Sequence, residues 1–140
     1  MPTEFFERCD TIEECYEFML GYAGQGLPSD EGSQAGSQVR QFLQRAATAL
    51  DGLAERCIHA VSDEGLEPAA TYQAFGEVLR RDAQDSLAAI QMVLAQPAIS
   101  SQLIDNLNAS MHLRALLTDL FLIGEILRSR SQVGVTSATE

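Results

Sequence analysis

The stretch from His112 to Leu127, HLRALLTDLFLIGEIL, packs nine Leu, Ile or Phe into sixteen residues. Apolar groups recur at three- and four-residue spacing, the period of an α-helix. After Asp119 the pattern widens. Leu120, Phe121, Leu122, Ile123, Ile126 and Leu127 cover most of the circumference, and Thr118, Glu125 and Arg128 mark a narrow wet edge. A helix apolar nearly all round is central in its fold or faces two partners. Whatever this chain folds into must cover that segment.

The rest of the sequence predicts the covering elements. No strand-like alternation competes anywhere, so the expected fold class is all-α: a four-helix bundle with one shorter N-terminal helix and three long ones. Residues 1–10 read as a lead-in. Thr11-Ile12-Glu13-Glu14 matches a capping box, with the Thr11 hydroxyl on a free amide and Glu14 reaching back. The short helix then follows through Ile12, Cys15, Tyr16, Met19 and Leu20 and ends near Gly24 and Gly26. Residues 26–36, GLPSDEGSQAG, are the one loop-like tract and are expected to be flexible.

A second helix is expected from Ser37 to Val61, where Ala46, Leu50, Leu53, Cys57 and Val61 keep bundle spacing. A third opens near Pro68 and stops at Pro97, with Tyr72, Phe75, Leu79, Ala83, Leu87, Ile90 and Leu94 as its stripe. A fourth runs from Ser100 to Ser129, its polar line formed by Asp105, His112 and Asp119. Residues 131–140 are expected to fray. The chain, 1–140, reads as a single domain.

Three elements of this kind leave little to cover the apolar end of the fourth. The sequence therefore predicts self-association into a homodimer through Phe121, Leu122 and Ile126, since symmetric dimers are the commonest oligomers. The competing expectation is that Phe5, Phe6 and the first helix cover this surface within one chain.

Charge narrows the partners. The net charge is −11, and eight of the acids lie between Met1 and Glu31 against a single base, Arg8. Such a surface repels phosphate backbones and anionic headgroups, which argues against nucleic acid and membrane surfaces. The acidic cluster Asp10, Glu13, Glu14 and Glu17 reads first as a solvated helix face and second as a surface that steers a basic protein partner. The N-terminus, MPTEFFERCD, lacks the basic and apolar regions of a signal peptide. With three sparse cysteines, this gives a cytoplasmic expectation. The apolar segment after Arg114 is too interrupted to span a membrane.

Reactive motifs are scarce. A di-iron bundle needs Glu-x-x-His twice, and the nearest approach is Glu55 with His59, four apart and unrepeated. Cys9, Cys15, Cys57 and His59 lack the close pairing of a structural zinc site. His112 has Ala115 and Leu116 where a phosphotransfer helix carries Lys and Gly. No Gly-x-Ser-x-Gly or phosphate-binding glycine loop occurs. No catalytic residue, metal ligand or cofactor is assigned. The expected function is that of a small non-enzymatic interaction protein: an adaptor, regulator or assembly factor. The alternative is a ligand- or cofactor-binding bundle, an enzyme included, with a pocket lined by Tyr16, Met19, Phe42, Tyr72, Phe75, Met92 and Met111.

Overall fold

The computed structural model describes residues 3–139, with side chains as far as residue 130. Among these residues there are six α-helices and no strand: α1 (Thr3–Ala23), α2 (Gln34–Leu50), α3 (Leu53–Asp63), α4 (Ala69–Leu94), α5 (Ser101–Ala109) and α6 (Met111–Thr139). The all-α bundle is as the sequence predicts; the count of four is not. Two of the expected long helices are each divided in two, and the short first helix is longer than expected. The frayed tail expected at 131–140 falls outside the residues whose side chains are described.

In α1 the expected start at Thr11 is displaced to Thr3, and the lead-in at 3–10 is helical. Phe5, Cys9, Ile12, Cys15, Met19 and Tyr22 are all buried and keep one three- and four-residue stripe from end to end. The stripe gives no reason to break at Thr11. Its hydroxyl donates back to the Glu7 carbonyl at 3.0 Å instead of capping.

The expected helix from Ser37 to Val61 begins earlier, at Gln34, and breaks at Asp51 and Gly52. Gly52 takes the left-handed conformation at φ +74°, which glycine adopts without strain. The carbonyls released at the end of α2 are taken by Arg8, whose Nη1 donates to Thr48, Ala49 and Asp51 at 3.3, 3.2 and 2.6 Å. Cation and carbonyl dipoles are matched at this helix C-terminus. Leu50, Leu53, Ala54, Cys57 and Val61 stay buried across the break. The apolar period therefore runs through a change of helix.

The expected helix from Ser100 to Ser129 breaks at Ser110, which is extended (ψ 142°). Its hydroxyl accepts the Leu113 amide at 3.3 Å, and its own amide donates to Leu107 at 3.1 Å. Ser110 ends one helix and caps the next. α4 alone runs close to its expected limits.

α1 packs against α2, α5 and α3, while α4 packs against α3, α6 and α2. The two halves are clasped at one end. The Tyr22 hydroxyl donates to the Ile99 carbonyl at 2.6 Å, and Ser101 Oγ donates to the Tyr22 carbonyl at 2.6 Å. Leu27 and Ser101 exchange two further bonds of 2.8 Å. Asp30 Oδ1 accepts the Ile99 amide at 2.8 Å, and its Oδ2 accepts Arg40 Nε at 2.8 Å. Arg40 also donates to the carbonyls of Leu94 and Gln96. The tract at 26–36, expected as a flexible loop, is thus tied to the α4–α5 turn and passes into α2 at Gln34.

Gly36 closes this clasp. It is buried, and a Cβ built there would stand 2.0 Å from the Asp30 carbonyl oxygen. Gly36→Ala is expected to destabilise the fold by about 1–3 kcal/mol, as overpacking against backbone does. Urea denaturation followed by circular dichroism checks this.

Candidate interaction face

The apolar length of α6 is covered on one side only. Leu113, Leu116, Leu117, Leu120, Ile123 and Leu127 are buried in the core. Phe121, Leu122 and Ile126 remain 59%, 55% and 39% exposed. Phe5 and Phe6 do not cover them: Phe5 is buried in the core, and the Phe6 ring lies under the Arg128 guanidinium at 4.9 Å.

These three side chains do not form one patch. At 3.6 residues per turn, Leu122 and Ile126 lie about 40° apart on α6, whereas Phe121 stands about 100° from Leu122. Leu122 and Ile126 join Ile123 and three residues of α4, Thr71, Tyr72 and Phe75, around an open groove of about 250 Å³. Its walls are almost wholly apolar. Phe121 stands across the wet ridge of Thr118 and Glu125, on the other edge of the helix.

The helices around the groove run antiparallel. Thr71 to Phe75 face Leu122 to Ile126, Asp82 meets Asp119, and Ser86 Oγ donates to the His112 carbonyl at 2.9 Å. The groove therefore leads along the α4–α6 seam to a pair of carboxyl groups. Asp119 was expected on a polar stripe with Asp105 and His112. The break at Ser110 puts Asp105 on a separate helix, and Asp119 turns inward to 7% exposure. Its Oδ2 is buried and meets no N–H or hydroxyl among the described residues. Burial, then hydrogen bonding to Asp82 and the charge of that group, raise the Asp119 pKa to about 7. A carboxylate in contact with another opposes its ionisation, which is the sense of the Asp119 shift. Beyond the pair, the exposed His112 Nδ1 lies 3.9 Å from Asp85 Oδ2. Asn108 is another buried polar group, and both its side-chain amide atoms lack partners among the described residues.

The seven residues considered as a pocket lining are dispersed. Met19 is in the core. Phe42 stacks on Phe18 at 4.3 Å, with the Arg45 guanidinium over its ring at 4.6 Å, and Tyr16 is half-buried on α1. Met92 and Met111 are 63% and 83% exposed at helix ends. Only Tyr72 and Phe75 share a cavity, and it is the surface groove.

Asp10, Glu14 and Glu17 are exposed along α1. Glu13 is half-buried, and burial followed by the neighbouring Asp10 charge pushes its carboxyl up. The three cysteines are buried thiols, each pushed up to about 12 by burial. Cys57 is buried while His59 is exposed, so the two face different sides of α3. Among the described residues no group of three His, Cys, Asp or Glu is arranged to hold a metal, and no helix is long and apolar enough to cross a membrane.

Compared with known protein families, curated proteins and solved structures, the chain matches none.

The Asp82–Asp119 pair gives folding a pH dependence. The folded protein holds on Asp119 a proton that the unfolded chain releases near its ordinary value of 3.8. Its effect is a stability that is fully present below that value, falls as pH rises, and levels off above about 7. The slope approaches about 1.4 kcal/mol per pH unit where one whole proton is released. Asp119→Asn, a permanently neutral stand-in for the protonated acid, is expected to flatten this fall. Urea midpoints between pH 4 and pH 8 measure it.

Proposed function

We propose that this chain acts through protein–protein contact, as a small self-associating helical adaptor or assembly factor, with the α4–α6 groove as its contact surface. The observation that carries the reading is the position of the groove. Its apolar walls, Tyr72, Phe75, Leu122 and Ile126, lie on the outside of the bundle while the buried arc of α6 is already filled. A ligand-binding bundle would converge polar groups on an internal cavity. Here the buried Asn108 and Asp119, whose polar atoms lack partners among the described residues, are packed in, and the apolar cavity faces out.

Self-association is the simplest use of such a face, because Leu122 and Ile126, exposed apolar side chains of the kind that fill such a groove, stand on its α6 edge, so one chain carries both parts. Phe121 lies outside this surface, on the far edge of α6. The acidic strip on α1 offers a second contact surface, for a basic partner. The net charge of −11 is unfavourable for nucleic acid.

Leu122→Glu and Ile126→Glu are each expected to give folded monomers, with helical circular dichroism retained because both side chains are exposed. Phe121→Glu is expected to leave the assembly intact. Sedimentation velocity of the three variants beside the parent chain checks this. An unchanged mass for both Leu122→Glu and Ile126→Glu rules out the groove as the contact.

A further inference from the structure

One strip of α6 reads acid, apolar, apolar, base: Asp119, Leu122, Ile126, Arg130. These positions fall on the side of the helix that faces α4, since steps of three, four and seven residues return to nearly the same face. Asp119 precedes Leu122 by three residues, and Arg130 follows Ile126 by four. The strip is therefore nearly symmetric about position 124. Turned end for end, it presents a base where the first copy presents an acid.

The structure gives both ends something to meet. At one end Asp119 is buried with an Oδ2 that no N–H or hydroxyl of the described residues reaches, and Asp82 stands beside it, partly exposed. At the other end Arg130 is exposed. The N-terminal end of α4 lies beside Leu122 to Ile126, and α6 continues to Thr139. Between the two ends lies the apolar groove with the exposed Leu122 and Ile126.

Resting on the reading of α6 as a self-association face, we infer that two copies pair their α6 helices antiparallel across this groove. Leu122 of each copy sits over Ile126 of the other, and each Arg130 reaches the Asp82–Asp119 pair of the other. The arrangement is isologous: one patch serves both copies, and every contact occurs twice. The occupant is a second copy rather than another protein because charge order and apolar spacing match those of the same strip reversed. A parallel pairing would place acid against acid and base against base.

The test is a charge exchange read by sedimentation equilibrium, with circular dichroism confirming the fold of each variant. Arg130→Asp sets a third carboxylate against the pair and is expected to weaken dimerisation about tenfold or more. Adding Asp82→Arg to it restores an opposite-charge pair and is expected to bring the dissociation constant back to within about threefold of the parent. Arg130→Asp changes an exposed side chain, so its result stands even if the double variant folds poorly. An unchanged dissociation constant for Arg130→Asp overturns the antiparallel pairing, as does a folded double variant no tighter than Arg130→Asp. Ile126→Glu separates the two levels. If it yields a monomer while Arg130→Asp changes nothing, α6 still makes the contact and this pairing is wrong. If neither variant changes the mass, the groove contact itself fails.

Discussion

The clasp between the α1–α2 loop and the α4–α5 turn fixes where everything after residue 98 can go. Asp30 is its centre. The Ile99 amide, and then the Arg40 guanidinium, hold the Asp30 carboxyl below the usual carboxylate range against the opposing effect of burial. Arg40 spends its remaining donors on the carbonyls at the end of α4. Ser101 and the Tyr22 hydroxyl complete the tie on the α1 side. A turn held at both edges sets the start of α5, and Ser110 then sets the start of α6. The phase of α6, and hence which of its apolar residues reach the core, follows from these polar contacts as much as from hydrophobicity.

That dependence separates what could be read in the sequence from what could not. The all-helical class follows from period alone, and the structure has it; of the expected α4 stripe Leu79, Ala83 and Ile90 are buried, while Tyr72, Phe75, Leu87 and Leu94 flank the buried face, which also takes in Gly76, Ser86 and Val93. The division of the expected second and fourth helices was hidden because apolar spacing continues through each break. The signals were present but local: Gly52 next to Asp51, a glycine inside a helical pattern, and Asn108-Ala109-Ser110, where a serine precedes an apolar run. The N-terminal extent of α1 was hidden for the opposite reason. Thr11 with Glu14 satisfies a capping pattern, but Phe5 and Cys9 carry the buried stripe past it. Asp30, Arg40, Ser101 and Tyr22 act across the chain, so spacing along one helix cannot reveal their pairing. Asp82 was missed for the same reason, because its partner lies on α6.

The apolar excess that makes α6 conspicuous is largely absorbed, and what remains is small. Burying a Leu or Ile completely contributes about 1.5–3 kcal/mol, and the exposed pair is already about half covered. Four such side chains across two copies therefore supply roughly 3–6 kcal/mol. The loss of freedom on association is about 4–15 kcal/mol. Leu122 and Ile126 alone would not make a tight dimer, so in the proposed pairing the walls of the groove and the charged ends of the strip would have to contribute. A dimer of the proposed kind would dissociate on dilution, unlike an obligate dimer that divides a single core.

The measurement that bears most directly on this account is the solution mass of the parent chain, by sedimentation or native mass spectrometry, over a wide concentration series at neutral pH. A reversibly pairing chain gives 15.2 kDa at high dilution, rising towards twice that value as concentration increases. A mass that stays at 15.2 kDa throughout the series would contradict the proposed pairing.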